Sequence, residues 1–317
     1  VPTLVTGAAG FVAAHLLDRL ATLGDPVIGW VRPNGHDPSW AAPSHRTASI
    51  GWRRVDLLDR DAVAHAVADA PPTRVYHLAG LTHQGRSWHA STEALRVNAL
   101  GTDHLVDALA RHAPSARVIV TGTGFVYQPS DAALDEDAPL RPASPYGFSK
   151  LAQELVARHA AETTPVQIVL CRAFNHLGPG QSADYFASSF ARQICAIRRG
   201  RLAPVLRVGN LTARRDLTDV RDVVAAYLAL MDRGAAGETY NVCTGRAHVI
   251  RDVLDGLITQ SGVTVDVEVA PELLRPVDQP LLLGKPDKLA RDTGWAPRIP
   301  FERTLADILA DWDRRDA

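Results

Sequence analysis

Tyr146 and Lys150 stand four residues apart in "SPYGFSK", just after a proline-containing turn. On a helix that spacing stacks both side chains on one face. A free tyrosine loses its proton near pH 10, too high for efficient proton transfer at neutrality. An ammonium group beside it favours the phenolate and brings the hydroxyl nearer its working range. Tyr and Lys also meet at this spacing by chance in many helices, so the pair needs company. "VIVTGTGFVYQ" provides it, because Thr123 lies just beyond an apolar, strand-like run. Its hydroxyl can hydrogen-bond a substrate oxygen, or it can simply stabilise a turn.

A second constellation opens the chain. "TGAAGFVAAHL" joins the first strand-like run to a helical pattern. Gly7 permits a tight turn there, and Gly10 lets the backbone approach a pyrophosphate at the helix N-terminus. Ala13 occupies the third glycine position, where a small residue lets helix and strand pack closely. A glycine-rich turn with no ligand is the plainer alternative. The next strand ends "VIGWVRPN", without the acidic residue that usually accepts hydrogen bonds from an NAD ribose. Arg32 follows it, and a guanidinium there can pair bidentately with the 2′-phosphate of NADP. NADPH is therefore the expected cofactor, with NADH as the alternative and a surface arginine as the ordinary reading. Asp56 in "VDLLD" can meet an adenine ring or cap the following helix. An oxidised nicotinamide beside Tyr146 would add to the pull toward phenolate, and Lys150 can hold its ribose.

These residues need a scaffold, and its pattern runs through the first half of the chain. "TLVTG", "PVIGWV", "WRRVDL", "RVYHLAG", "ARVIVTG" and "VQIVLCR" alternate with helical stretches near 59–69, 93–112 and 146–162. Short apolar strands alternating with amphipathic helices indicate a parallel sheet covered on both faces. The expected fold class is α/β, a doubly wound Rossmann-type sheet with a smaller mixed α/β C-terminal lobe. Residues 1–172, with a returning segment at about 216–243, form the NAD(P)-binding domain in this reading; 173–215 and 244–317 form the substrate lobe. "FERTLADILADWDRR" reads as a closing amphipathic helix. The 317 residues carry a formal net charge of −1, with 46% hydrophobic and 22% charged residues. That balance argues against a nucleic-acid partner, and no apolar run approaches the roughly 20 residues of a membrane helix. Cys171, Cys195 and Cys243 match no metal or redox spacing. They read as buried reduced thiols, and with no visible signal peptide the expected location is cytoplasmic.

Taken together, "TGAAGF", "HLAG", "VNALGT", the Thr123 segment, "YGFSK", "RAFNHLGPGQ" and "RRDLTDVRDV" resemble the extended short-chain dehydrogenase/reductase family, in its nucleotide-sugar-modifying branch. The resemblance covers essentially the whole length. It implies that Thr123, Tyr146 and Lys150 form the catalytic triad and that Asn98 supports the cofactor site. It extends the cofactor set of Gly7, Gly10, Arg32 and Asp56 to Ala9, Phe11, Val12, Leu57, Leu78, Ala79 and Gly80. Asn175 matches the position that usually meets the sugar or its phosphate. His83, in the loop after the fourth strand, joins the substrate set, and His176 follows Asn175; each is as readily a solvent-exposed or locally satisfied histidine. No residues show metal-ligand spacing, and no metal is expected. A homodimer through helices at 93–112 and 146–162 is expected from the family.

The resemblance also narrows the reaction. Related 4,6-dehydratases carry an acidic residue, often an Asp-Glu pair, directly after the catalytic Thr. Gly124 and Phe125 stand there in this chain, and neither exchanges a proton. "GNLTARRDLTDV", residues 209–220, is similar to a signature shared by GDP-mannose 4,6-dehydratases and the reductases that act on their keto product; "RQICAIRRG", "TYNVCTGRA" and "LRPVDQPLLLG" resemble the reductase group. By that resemblance Arg215 and Arg275 bracket the diphosphate; Gln193, on the helix-like "FARQICAI", either lines the pocket or sits at the edge of the core. Arg214 is as easily a solvated neighbour. The expected activity is NAD(P)H-dependent reduction of the C4 ketone of GDP-4-keto-6-deoxy-D-mannose to GDP-D-rhamnose or its C4 epimer, GDP-6-deoxy-D-talose. The alternatives are an NAD-dependent nucleotide-sugar 4-epimerase and a non-catalytic cofactor-sensing protein.

Overall fold

A computed structural model describes residues 2–24, 26–35, 50–82, 87–274 and 279–315. The expected alternation is present: β1 (Thr3–Thr6), α1 (Phe11–Leu23), β2 (Val27–Val31), β3 (Ile50–Arg54), α2 (Arg60–Asp69) and β4 (Arg74–His77). Then come α3 (Ser91–Leu95), a π-helical turn at Arg96–Leu100, α4 (Gly101–His112), β5 (Arg117–Thr123), α5 (Pro145–Thr163) and β6 (Gln167–Ala173). A later strand, β10 (Thr239–Val242), completes a seven-stranded sheet of order β10-β6-β5-β4-β1-β2-β3. Every neighbouring pair in it is parallel. Central strands such as "RVIVTGT" are buried on both faces, which is why they read as unbroken apolar runs rather than alternating ones.

One face of the sheet packs Leu16, Leu17 and Leu20 of α1 against Val223, Tyr227 and Leu230 of α7 (Val220–Arg233). The other face packs Val63 and Val67 of α2 against Leu105 and Leu109 of α4 and Ala157 of α5. β1 and β4 are neighbours at the centre while their chain connections run to opposite sides, a topological switch point. Ligands bind such sheets in the crevice outside the strands' carboxyl ends.

The smaller lobe has its own core. α6 (Phe186–Arg198), α8 (Ile250–Ser261) and α10 (Phe301–Arg315) bury Phe190, Ile194, Leu254, Leu257, Leu305 and Ile308 together. Beside them β9 (Arg214–Asp219) pairs with β7 (Asn175–Leu177), β11 (Ala247–Val249) and β13 (Leu281–Leu282), while β8 (Val205–Val208) pairs with β12 (Asp266–Val269). The lobe boundary drawn at 216 falls inside β9; the chain returns to the large sheet with α7 and β10. α9 (Asp287–Thr293) also leans on the large sheet's core, through Leu289 and the following Trp295.

Candidate active site

At the switch point the glycine turn has the geometry its sequence requires. Gly7 has φ +66°, and a Cβ there would sit 2.7 Å from the backbone N and Cα of Ala79. Only glycine lets the β1 turn pass the β4 loop so closely. Gly10 caps α1 and donates its N–H to the Gly7 carbonyl at 2.9 Å. Neither a capping side chain nor a first-turn acid engages the helix's leading amides. Those amides and the helix dipole form a cradle that fits a pyrophosphate. Ala9, Phe11, Val12, Leu57, Leu78, Ala79 and Gly80 line the same cleft, which has a volume of about 980 Å³. Exposed Arg32, directly after β2, and Asp56, after β3, line it too. Asp56 does not cap α2: its carboxylate accepts the Leu58 amide at 2.9 Å, and Asp59 caps the helix by accepting the Ala62 amide.

Asn98 lies behind this cleft rather than in its wall. The π-helical turn that carries it widens the helix locally and turns a fully buried side chain toward the β4 loop. Its Oδ1 accepts the Leu81 amide at 2.8 Å, and its Nδ2 donates to the Leu81 carbonyl and to Ser149 Oγ. One amide thus fixes the loop after β4 to α5.

Thr123 ends β5, and Tyr146 and Lys150 lie in the first turns of α5. Ser144 caps that helix by accepting the Gly147 amide at 3.1 Å, with Pro145 at its first position. A Cβ on Gly147 would collide with the Phe125 carbonyl, so this glycine brings α5 against the Thr123 turn. Tyr146 and Thr123 are both buried and line the same cleft. Burial pushes the Tyr146 phenol above its ordinary range, and the Thr123 hydroxyl pulls it partly back. The expectation that Lys150 would bring the phenol down is therefore corrected. The ammonium donates to the Thr121 carbonyl at 2.7 Å and to Gln153 Oε1 at 2.5 Å, and burial lowers its pKa to about 8.

Across the cleft the walls turn polar and cationic. Arg215 is 3% exposed and lines the cleft, whereas Arg214 is exposed and outside its lining. Adjacent residues on β9 point to opposite faces, which separates the two guanidiniums. Asn175 lines the cleft on β7, and its buried Oδ1 has no hydrogen-bond partner among the described residues. A buried unpaired acceptor is costly, so this atom is suited to a ligand donor. His176 also lines the cleft, but its Nδ1 lies 3.1 Å from the Phe174 carbonyl and its ring stacks on Phe11. Gln193 is not a lining residue: its amide brackets the backbone of Arg207, donating to the carbonyl and accepting the N–H, and so holds β8 to α6. His83 and Arg275 lie outside the described residues.

Sequence reasoning passed over several cleft residues. Arg192 and Arg207 line the cleft with Arg215. Tyr185 reaches Thr82 at 3.1 Å across the cleft, and Tyr227 of α7 lines its floor. The "ARQ" segment of α6 carried the only signal for Arg192, through its helical phase relative to the apolar positions 190, 191 and 194.

Comparison with known proteins agrees with this geometry. The family profile described as GDP-mannose 4,6 dehydratase matches residues 4–308. GDP-6-deoxy-D-mannose reductase from Pseudomonas aeruginosa is 34% identical over 98% of this chain and 97% of its own. The structure of RMD from Pseudomonas aeruginosa complexed with NADPH superposes with a TM-score of 0.84 at 33% identity, covering 99% of both chains. A putative epimerase from Burkholderia cenocepacia J2315 gives a TM-score of 0.87 at 34% identity, covering 99% of this chain and 98% of that one. With a seven-stranded Rossmann-type sheet, a glycine turn at its switch point and a Thr-Tyr-Lys set facing one cleft, the chain belongs to the extended short-chain dehydrogenase/reductase family of NAD(P)-dependent nucleotide-sugar-modifying enzymes.

Proposed function

We propose that this chain reduces the C4 ketone of GDP-4-keto-6-deoxy-D-mannose with NADPH, giving GDP-D-rhamnose, or GDP-6-deoxy-D-talose if the opposite carbonyl face is attacked. The observation that carries the reading is at Gly124. A Cβ there would lie 3.1 Å from the Phe174 ring, so packed aromatic carbon fills the space where a dehydratase acid would begin. Phe125 turns its ring edge toward Tyr146, with centroids 6.3 Å apart, and adds no titratable group. Dehydration requires an acid for the leaving hydroxyl and a base for the C5 proton; carbonyl reduction requires one acid. Tyr146, held as a neutral phenol by burial, is that acid.

The cofactor cradle is the α1 N-terminus with Gly7 and Gly10, Arg32 takes the 2′-phosphate, and Lys150 takes the nicotinamide ribose. A bound reduced nicotinamide supplies the hydride that goes to C4. Thr123 hydrogen-bonds the C4 oxygen and Tyr146 gives its proton to the developing alkoxide, ending as a phenolate that solvent reprotonates. Charge on that oxygen develops mainly in the transition state, so hydrogen bonds to it accelerate the step more than they tighten binding. Arg215 pairs with the substrate diphosphate, and Asn175 Oδ1 accepts from a sugar hydroxyl. Leu95, Leu100, Phe148 and Leu155 are exposed on the outward faces of α3, the π-helical turn and α5, and support a homodimer through those faces.

Incubation with GDP-4-keto-6-deoxy-D-mannose and NADPH tests the reading. Stoichiometric NADPH oxidation is expected, and proton couplings at C4 of the product name the face of attack. Copurifying NAD with no net consumption of reductant would replace reductase by 4-epimerase.

A further inference from the structure

Behind Lys150, on the side away from the cleft, a line of buried polar side chains runs from α5 back to β1. Gln153 accepts from Lys150 Nζ and donates through Nε2 to Thr102 Oγ1 at 3.1 Å. Thr102 sends its single hydroxyl proton to the Asn98 carbonyl at 2.6 Å. His77 Nε2 lies 2.8 Å from the same Thr102 oxygen, and His77 Nδ1 lies 2.7 Å from Thr6 Oγ1, which accepts the Ala79 amide. Thr6, His77, Thr102, Gln153 and Lys150 are each 3% exposed or less.

One proton assignment satisfies every member. Because the Thr102 proton goes to Asn98, His77 must donate from Nε2. Its Nδ1 then accepts from Thr6, whose oxygen is left free to receive the Ala79 amide. The histidine is neutral in this arrangement, and burial holds its pKa down to about 3. Gln153 has no freedom to flip: Thr102 needs its NH2, and Lys150 needs its oxygen. Glu154, the next residue, turns away to a buried pair with Arg172. The titratable groups facing the ammonium are therefore His77 from β4 and Cys171 from β6, with Tyr227 of α7 behind Cys171.

We propose that Gln153 is the positioning residue for Lys150: held in one orientation by Thr102, His77 and Thr6, its amide oxygen places a neutral acceptor behind the lysine and leaves the remaining N–H for the cofactor. The same line ends at Thr6, one residue before Gly7, so the pyrophosphate turn and the catalytic lysine are set by one network. The inference rests on reading Lys150 as the residue that holds the cofactor ribose. An amide at 153 supports the ammonium by its dipole alone; a carboxylate would trap it as an ion pair, and an apolar side chain would leave it short of an acceptor.

The test is the pH dependence of NADPH affinity, followed by cofactor fluorescence, which needs no sugar substrate. In the unaltered protein affinity is expected to weaken as pH rises through about 8, where Lys150 loses its proton. Gln153→Glu should raise that break by about one pH unit, and Gln153→Met should lower it by a similar amount. Thr102→Val, which leaves Gln153 and Lys150 in place, should shift it in the same direction as Gln153→Met but less, and remains a usable test if the Met variant fails to fold. Lys150→Met should abolish the break. An absent break in Lys150→Met with an unmoved one in the Gln153 and Thr102 variants overturns the positioning role alone. A break that persists in Lys150→Met overturns the reading of Lys150, and the proposal with it.

Discussion

On one side of the cleft, buried polar groups are paired with one another; on the other, a buried amide oxygen stands without a partner among the described residues. Asn98 makes hydrogen bonds to both Leu81 backbone groups and to Ser149, and the chain from Lys150 to Thr6 is linked at every step, with one lysine N–H left over. Facing it, Asn175 Oδ1 is buried without a partner among the described residues, and Arg192, Arg207 and Arg215 crowd the lining of one end. A prebuilt network holds its atoms where the chemistry needs them and loses little entropy on binding. A wall with one unpaired buried acceptor among guanidiniums that keep protein partners of their own, Arg207 with Glu272 and Arg215 with the Arg214 carbonyl, suits an anion with hydroxyl donors. On the proposed function, the first wall sets how the reaction proceeds and the second sets on what.

Changes on the first wall should therefore cost turnover, and changes on the second should cost affinity. The largest expected effect is Tyr146→Phe, which removes the proposed acid while keeping the ring's packing. Ketone reduction should fall by about 10²–10⁴-fold, with NADPH affinity and the thermal melt near their original values. Retained turnover would sink the tyrosine's role, and a collapsed melt would show that its hydroxyl serves the fold.

Arg215→Met probes the opposite wall. A charge-assisted contact to a phosphate is worth about 1.5–3 kcal/mol, so KM for the nucleotide sugar should rise about 10–100-fold while kcat and NADPH affinity change little. Arg214→Met, made in parallel, should leave KM alone. A reversal of the two results would mean that the ligand approaches β9 from its exposed face.

The same division explains what could be read from the sequence. The sheet, the glycine turn and the Tyr146–Lys150 spacing rest on contacts within a few residues of one another, and local pattern reports local geometry. Asn98 was reached through its motif, yet its actual device, a π-helical turn aimed at Leu81, has no local signature. Gln193 shows the limit. Helical phase places it beside cleft residues, but only the position of β8 decides that its amide meets Arg207 instead. Gly147 is required by a carbonyl at Phe125, and the raised phenol of Tyr146 reflects how deeply the fold buries it. Both depend on segments brought together only by folding. Adjacent Arg214 and Arg215 are chemically identical until β9 assigns them faces.

Arg32 stands at the edge of the first wall but is exposed, and its backbone carbonyl accepts the Gly35 amide. Arg32→Ala should lower the preference for NADPH over NADH by about tenfold, the worth of one partly solvated phosphate contact. Comparing Kd for the two cofactors reads this directly. An unchanged ratio would remove Arg32 from the 2′-phosphate site, and Arg54, which donates to the Pro33 carbonyl behind it, would be the next residue to vary.

The smallest effect tests whether the prebuilt wall carries a penalty in acid. His77 is buried as a neutral donor–acceptor, with its pKa lowered by burial first and by the Lys150 charge second, to about 3 against an ordinary 6.5. Because the folded state binds the proton less readily than the unfolded chain, the unfolded state gains protons first. Stability is then whole above about pH 6.5 and is lost as pH falls from there toward 3. Between pH 7 and 5.5 this single group should contribute about 1 kcal/mol of that loss. His77→Gln keeps one donor and one acceptor but does not titrate. Urea midpoints across this range should fall less steeply for the variant than for the unaltered protein. Parallel slopes would mean that the folded protein admits a charged His77. The tautomer that links Thr6 to Thr102 would then not be fixed, and the cofactor wall would be as adaptable as the substrate wall it faces.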